Sequence, residues 1–220
     1  MIRAVLFDMD GTLFDTERMT VWGWQRLVEM GKAPAEIVAI YPQFCGKKRE
    51  VVREIVTAHF GADFPLDERR AEIVELIKAE YDRSGVPLKP FVPEIFGVLE
   101  KMNVRCALVT STSTASVEDY LRRTGIARHF ESIVTGDRVK NGKPAPDCFL
   151  LAAKELGLSP ADCLVAEDSP TGIEAARRAG MPAVMIPDLI APTNEVMGSV
   201  IRVLDTLEEL PDLIAKENKI

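Results

Sequence analysis

Two aspartates separated by one residue follow a short apolar run near the start of the chain. The run covers residues 4–7, Asp8 follows it directly, and Asp10 comes two residues later. An uninterrupted apolar run that ends in turn residues predicts a strand buried on both faces. Two carboxylates this close repel each other unless a cation lies between them, and oxygen ligands at a strand end suit Mg²⁺. Gly11 then permits a tight turn that a Cβ atom would obstruct.

Hydroxyl side chains end a second predicted strand. Thr110 is its last residue, and Ser111 and three further hydroxyl residues follow at the start of a helix. The N–H groups at a helix N-terminus, together with a hydroxyl, can bind phosphate. These hydroxyls can also simply cap the helix, as serine and threonine commonly do.

A lysine and two acids complete the set of candidate residues. Lys143 lies in a loop rich in glycine and proline, where its ammonium group could neutralise a phosphate and offset the charge of Asp8. Lys140 in the same loop is more typical of a solvated surface residue. Glu167 and Asp168 end an apolar strand. Acids at a helix N-terminus can simply interact with the helix dipole, but two adjacent acids at the end of a core strand cost more free energy than that role requires.

The elements that must position these residues alternate between strand and helix after residue 93. Strands are predicted at 104–110, 132–135, 163–166, 183–186 and 200–204, with helices between them that often stop at glycine. Such alternation predicts an α/β fold with a doubly wound parallel sheet. Right-handed crossovers place the ends of all strands at one edge, so the candidate residues should meet there.

The segment between the first strand and this alternating region has a different pattern. Apolar residues recur at helical spacing in four stretches, near 17–30, 34–41, 48–60 and 67–83. A proline-rich stretch at 85–93 resembles a linker. The sequence therefore predicts an all-helical domain at 16–85, inserted into a core domain formed by residues 1–15 and 86–220.

Composition argues against several classes of protein. The chain has 47% hydrophobic residues and a formal net charge of −7. Its lysines and arginines form no long run, which disfavours nucleic acid as a partner because such sites need a basic face. No stretch approaches the roughly 18 apolar residues that span a membrane. The first strand begins after three residues, which leaves no room for a signal peptide, and the four cysteines show no CxxC spacing. We therefore expect a cytoplasmic protein that works as a monomer.

Four segments, in this order along the chain, resemble the motifs of the HAD (haloacid dehalogenase-like) superfamily. They are DxDGT at residues 8–12, the strand that ends in Thr110, GKPAPD from residue 142 and EDSPTG from residue 167. The resemblance implies that Asp8 is the nucleophile and Asp10 the general acid and base. It also implies a phosphate site made of Thr110, Ser111 and Lys143. The implied Mg²⁺ ligands are Asp8, the backbone carbonyl of Asp10, Asp168, and Glu167 directly or through water.

The helical insert resembles the cap of the β-phosphoglucomutase-like and phosphoglycolate phosphatase-like branch of this superfamily. Such caps close over the site and recognise the leaving group. Thr16, Trp24 and Arg49 stand where mutase residues contact sugar phosphate, although Trp24 is also a good packing residue for cap helices and Arg49 could be solvated. Thr20 stands where the mutases have a histidine, which favours a phosphatase, whereas Arg49 favours a mutase.

The sequence thus predicts a Mg²⁺-dependent phosphatase that hydrolyses small phosphate monoesters, such as sugar phosphates, through an aspartyl-phosphate intermediate. The alternative enzyme is a β-phosphoglucomutase. Asp10 favours phosphoryl transfer over dehalogenation, because the dehalogenases of this superfamily lack an acid at that position. A non-hydrolytic signalling or binding module that carries a phospho-Asp is the alternative from another class, but such receiver domains are shorter and have no inserted cap.

Overall fold

Two units make up the part of the chain that the structure describes. The structure, a computed structural model, describes residues 1–44 and 49–218. The core unit consists of Met1–Phe14 together with Leu88–Ile220, and the insert unit consists of Asp15–Pro87. The core unit is therefore assembled from two stretches of chain that are distant in sequence.

The described core unit contains a sheet of six parallel strands. They are β1 (Ala4–Phe7), β2 (Arg105–Val109), β3 (Ser132–Val134), β4 (Cys163–Glu167), β5 (Ala183–Met185) and β6 (Arg202–Val203). Their order across the sheet is β3-β2-β1-β4-β5-β6, and every neighbouring pair is parallel. The order changes direction at β1, as in doubly wound α/β folds. This confirms the predicted fold class.

The strand β1 is buried on both faces, as its apolar sequence predicts. None of its four residues has any exposed surface. Phe7 packs against the edge of Phe96, with 6.1 Å between the ring centroids. Full burial of such a large apolar side chain contributes about 1.5–3 kcal/mol. The residue that follows, Asp8, is therefore attached to one of the most firmly held strands of the unit.

The helices follow the apolar spacing of the sequence closely. In chain order they are α1 (Thr16–Glu29), α2 (Glu36–Ile40), α3 (Arg49–Phe60), α4 (Leu66–Ser84), α5 (Val92–Lys101), α6 (Thr114–Thr124), α7 (Asp147–Leu156), α8 (Pro170–Arg178), α9 (Asn194–Met197) and α10 (Leu210–Glu217). Gly125 and Gly157 end α6 and α7 in the left-handed conformation, with φ of 71° and 65°, which glycine adopts readily. The predicted start of α3 at residue 48 lies outside the described residues.

All the regular secondary structure among the described residues of the insert unit is helical. Helices α1 and α4 approach closely at Gly23, where a Cβ atom would lie only 2.6 Å from Cγ2 of Ile73. Trp24 of α1 is buried. The hydroxyl of Tyr41 donates to Oε2 of Glu17 in α1 at 2.6 Å. These contacts give the insert an apolar interior of its own.

The largest departure from the predicted strands occurs at an edge of the sheet. Strand β6 covers Arg202–Val203, whereas the sequence predicted a strand at 200–204. β6 pairs with β5 on one side only. An edge strand has fewer hydrogen bonds to extend it, so its apolar pattern overestimates its length.

The cysteines of the described chain are reduced and buried. Cys106, Cys148 and Cys163 are free thiols, and burial raises the pKa of the Cys106 thiol to about 12. Cys45 lies outside the described residues. Among the helices that the structure describes, none has both the length and the apolar composition needed to cross a bilayer.

Candidate active site

The candidate residues of the core unit meet where the strand order changes direction. β1 lies between β2 and β4, so the loops that follow these strands leave from neighbouring points of one edge. The N–H of Asp8 donates to the carbonyl of Ala166 at 2.9 Å, and the N–H of Thr110 donates to the carbonyl of Val134 at 3.0 Å. These bonds continue the sheet beyond the strands and hold the backbone of both residues.

Lys143 contacts residues from three strand ends of the site. Its Nζ donates to Oδ1 of Asp8 at 2.5 Å, to Oε1 of Glu167 at 2.8 Å and to the carbonyl of Val109 at 3.1 Å. An ammonium group has three protons, so these three acceptors satisfy it completely. The Lys143 side chain is only 6% exposed, and its Nζ lies 4.9 Å from the centroid of the Phe149 ring. The loop lysine of the sequence thus has a buried side chain that joins the ends of β1, β2 and β4.

Burial controls the electrostatics of this group. Desolvation raises the pKa of Asp8 well above its ordinary value, and the charges of Glu167 and Asp10 raise it further, whereas Lys143 opposes the shift. Burial alone would lower the pKa of Lys143, but the charges of Asp8 and Glu167 outweigh it and raise that pKa. Lys143 is therefore charged at neutral pH. A second cation beside Asp8 would favour its ionised form.

Glu167 supports Lys143 and the start of α8. Its Oε1 accepts from Lys143, and its Oε2 accepts from both the N–H and the hydroxyl of Ser169, each at 2.8 Å. The hydroxyl of Ser169 also accepts from the N–H of Gly172 at 3.1 Å and so caps the helix. Both oxygens of Glu167 are engaged by Lys143 and Ser169, whereas the sequence suggested a metal ligand. Ser169 is visible in the sequence as a helix cap, but its contact with Glu167 is not.

Gly172 is the residue whose replacement should disturb this arrangement most directly. A Cβ atom at residue 172 would collide with the carboxylate of Glu167. Because that carboxylate is buried and held on both oxygens, it cannot move without breaking a bond to Lys143 or Ser169. We expect Gly172→Ala to lower the free energy of unfolding by about 1–3 kcal/mol. Chemical denaturation measures it, with Gly142→Ala as control because a Cβ there meets no atom within 4 Å. Equal stability of the two variants would contradict the expectation.

Asp168 lies against the turn that follows Asp8. A Cβ atom at Gly11 would collide with the Asp168 carboxylate, and Gly11 has a φ of +83°. Both the close approach and the backbone conformation require glycine there. The structure therefore brings the acid that follows β4 to the loop that carries the two aspartates of the first motif.

The oxygen donors at this edge are compatible with Mg²⁺. They are the carboxylates of Asp8 and Asp168, to which the resemblance adds the backbone carbonyl of Asp10. In residues 1–44 and 49–218, no three His, Cys, Asp or Glu side chains come together in a group that could hold a metal. Mg²⁺ commonly uses only one or two carboxylates and completes its shell with phosphate and water. The donor set thus fits this ion, and fits poorly a metal that needs an all-protein cage.

Asp10 is held by hydroxyl groups from the loop after β2. The hydroxyl of Thr112 donates to Oδ2 of Asp10 at 2.7 Å, and that of Thr110 lies 3.5 Å from the same oxygen. The Thr110 hydroxyl also accepts from the N–H of Thr112 at 3.0 Å. Thr110 is buried, whereas Ser111 is exposed. Sequence reasoning missed Thr112, although the run of hydroxyl residues that contains it was visible.

The candidate residues of the insert unit divide into buried and exposed ones. Thr16 and Trp24 are buried, and Arg49 is exposed and pairs with Asp67 at 2.7 Å. Trp24, Arg49 and Thr20 line a cavity of about 360 Å³ within the insert unit. The remaining lining is mainly apolar, with Glu17 and Arg70 as further charged members. Lys140 of the core unit is exposed, as the sequence suggested.

Comparison with known proteins gives consistent matches over most of the chain. The profile of the haloacid dehalogenase-like hydrolases matches residues 2–180. A phosphorylated carbohydrates phosphatase of Thermotoga maritima is 32% identical over 82% of both chains. A fructose-1-phosphate phosphatase of Escherichia coli is 33% identical over 82% of this chain and 94% of its own. The solved structure of a HAD family hydrolase of Deinococcus radiodurans, with bound phosphate and sodium, has a TM-score of 0.82 at 25% identity and covers 99% of this chain and 96% of that one.

Proposed function

Since the chain belongs to the haloacid dehalogenase-like hydrolase family, we propose that it is a phosphatase that hydrolyses small phosphorylated sugars. The observation that carries this proposal is the contact of Lys143 with both Asp8 and Glu167 beside the paired aspartates. It provides a nucleophile, a positive charge and a proton donor within one group. The relatives that act, by name, on phosphorylated carbohydrates and fructose 1-phosphate support the substrate class.

In this proposal Asp8 and Asp10 divide the chemistry. The Asp8 carboxylate attacks phosphorus, and the bond to the leaving oxygen breaks as an aspartyl-phosphate forms. Asp10 gives its proton to the leaving oxygen, so the sugar departs as a neutral alcohol. Asp10 then takes a proton from a water molecule that attacks the aspartyl-phosphate. This second step releases inorganic phosphate and returns Asp8 to its carboxylate form.

The positive charge and hydroxyl groups around Asp8 serve the phosphate. Lys143 keeps Asp8 oriented and offsets the repulsion between an anionic nucleophile and an anionic ester. Thr110, Ser111 and Lys143 are proposed to bind the phosphate oxygens. Glu167 is proposed to position Lys143. One of its carboxylate oxygens accepts from Lys143, and the other accepts from Ser169.

Mg²⁺ is the proposed cofactor, held by Asp8, Asp168 and the carbonyl of Asp10. When bound, it would neutralise phosphate charge and favour the ionised form of Asp8. We expect millimolar Mg²⁺ to raise the free energy of unfolding by about 2–3 kcal/mol, as a ligand near 100 times its Kd does. We expect Asp168→Asn to remove most of this gain, because it leaves Asp8 as the single carboxylate ligand of the proposed pair. Thermal denaturation with and without EDTA measures both effects.

A matched variant separates the site from general charge effects. Asp162 lies at the opposite end of β4 from the site, with its carboxylate 3.9 Å from the N-terminal amino group. Asp162→Asn removes the same charge from the same unit and should keep the full stabilisation by Mg²⁺. A gain with Mg²⁺ that is as large in Asp168→Asn as in the wild type would remove Asp168 from the metal site.

The insert unit is proposed to act as a cap that selects the leaving group. The cavity lined by Trp24, Arg49 and Thr20 provides an apolar wall and charged groups for this purpose. Arg49 pairs with Asp67, so a second phosphate would have to compete with a carboxylate for it. Together with Thr20, this favours a phosphatase over a phosphoglucomutase. Thr16, buried at the start of α1, is proposed as a further contact of the substrate.

Phosphate release from a panel of phosphorylated sugars with Mg²⁺ tests the proposed function. Incubation with β-glucose 1-phosphate and a trace of glucose 1,6-bisphosphate distinguishes the alternative, since a mutase forms glucose 6-phosphate and a phosphatase forms inorganic phosphate. Failure to release phosphate from every ester, including p-nitrophenyl phosphate, would contradict the proposal. That result would instead favour a non-hydrolytic module.

A further inference from the structure

The loop that contacts Asp10 is itself held by a second loop of the core unit. We call residues 110–114 the hydroxyl loop and residues 135–137, which follow β3, the clasp loop. The N–H of Gly136 donates to the carbonyl of Thr112 at 2.9 Å. The hydroxyl of Thr114 donates to Oδ1 of Asp137 at 2.7 Å. The clasp loop is thus hydrogen-bonded to the hydroxyl loop on both sides of Ser113.

The clasp also depends on close contact between the two backbones. A Cβ atom at Gly136 would collide with the carbonyl oxygen of Ser111. Any larger residue would push the hydroxyl loop away from its position. Because Ser111 precedes Thr112 directly, that shift would reach the hydroxyl that contacts Asp10.

Asp137 replaces the usual capping residue of α6. Ser113 occupies the cap position of this helix but makes no capping bond with its side chain. Instead the N–H of Thr114 donates to both carboxylate oxygens of Asp137, at 3.2 Å each. Bonds from the hydroxyls of Thr135 and Thr114 and from that N–H lower the pKa of Asp137 to about 2. Asp137 is therefore ionised at neutral pH.

These contacts fix one hydroxyl on one oxygen of the general acid. We propose that Thr112 is a positioning residue that orients the carboxyl group of Asp10 for proton transfer, and that the clasp loop holds Thr112 there. Its hydroxyl donates to Oδ2 of Asp10, which restricts rotation of the carboxyl group and leaves the proton of the general acid to the other oxygen, Oδ1. This inference rests on the proposed function, because it assigns a role within that reaction.

Two esters with different leaving groups test the inference. A sugar phosphate needs a proton on its alkoxide leaving group, whereas p-nitrophenolate leaves without one. We expect Thr112→Val to lower the single-turnover rate of leaving-group release about 10- to 100-fold on the best sugar phosphate, with less than about 3-fold loss on p-nitrophenyl phosphate. The single-turnover rate is the proper measure, because the later attack of water on the aspartyl-phosphate is common to both esters. Thr112→Ser restores the hydroxyl and should restore this rate.

Two more variants separate the clasp from folding effects. Asp137→Ala should also lower the rate selectively on the sugar phosphate, but only about 3- to 10-fold. It loosens the hydroxyl loop but leaves the Thr112 hydroxyl present. Ser116→Ala removes an exposed hydroxyl from the first turn of α6 that lies near Ser113. It should leave the single-turnover rate on both esters unchanged, and a thermal melt confirms that each variant is folded.

The outcomes discriminate between the inference and the function it rests on. Equal losses of Thr112→Val on both esters, or no rescue by Thr112→Ser, would overturn the positioning role while the phosphatase proposal stands. A wild-type protein that releases phosphate from neither ester would overturn the phosphatase proposal itself.

Discussion

Asp8→Asn should lower the rate of phosphate release from p-nitrophenyl phosphate by about 10⁴-fold or more, as loss of a nucleophile does in other enzymes. The amide has nearly the same shape as the carboxylate, and its oxygen can still accept from Lys143. It cannot, however, attack phosphorus to form an acyl phosphate. Steady-state assay of released p-nitrophenolate with Mg²⁺ measures the loss.

The fold of Asp8→Asn should remain intact. Burial raises the pKa of Asp8, which means that its ionised form is held in the folded state at a cost that a neutral amide does not incur. We therefore expect a thermal midpoint within a few degrees of the wild type. Asp212→Asn, on the exposed start of α10, is the matched control and should keep full activity. Retained activity in Asp8→Asn would remove Asp8 from the role of nucleophile.

Lys143→Met should destabilise the protein by about 3–5 kcal/mol at neutral pH, because it leaves two buried carboxylates without their cation. Those carboxylates belong to Asp8 and Glu167, whose side chains are 10% and 1% exposed. The variant should also lose phosphatase activity by at least about 10²-fold, since nothing offsets the repulsion between Asp8 and the ester. Urea denaturation and phosphate release measure the two effects.

The loss of stability in Lys143→Met should depend on pH. Burial raises the pKa of Asp8 above the value of 3.8 that it has without burial, so the folded state binds its proton more tightly than the unfolded state. Stability of the variant should therefore recover as the pH is lowered from neutral toward the raised pKa of Asp8, because the folded state takes up a proton there that the unfolded state does not. In the wild type Lys143 is charged throughout this range, and the recovery should be smaller.

Two variants check this interpretation of Lys143. The double variant Lys143→Met, Glu167→Gln lacks one of the two buried carboxylates that have lost their cation. We therefore expect it to recover part of the lost stability but none of the lost phosphatase activity. Lys140→Met removes an exposed lysine from the same loop and should change stability by less than about 0.5 kcal/mol. If Lys143→Met loses no more stability than Lys140→Met, the buried ion pair has no structural role.

The parts of the fold that were predictable are those with a strong local signal. The apolar run 4–7 is long enough to require burial on both faces, and the structure places it between β2 and β4. Glycines such as Gly125 mark helix ends because a left-handed residue is needed there. Alternation of such elements leaves few possible topologies, so the edge at which Asp8, Lys143 and Asp168 meet was also predictable.

The contacts within the site were not predictable from local sequence. Five hydroxyl residues follow one another from Thr110, and which of them faces Asp10 depends on the path of the loop. That path is set by Gly136 and Asp137, which come from another strand end. The contact of Glu167 with Lys143 is of the same kind, because a carboxylate next to a predicted metal ligand gives no sign that it turns toward a lysine.

The central position of β1 has a consequence for how the chain folds during synthesis. Ala4 pairs with Arg105 on one side and with Cys163 on the other, so β1 leaves the ribosome long before either neighbour exists. Pairing between segments so distant in sequence is slow, because the intervening chain must first be closed into a loop. Until then this wholly apolar strand presents two unpaired edges, which makes the nascent chain prone to aggregation and a natural client for chaperones.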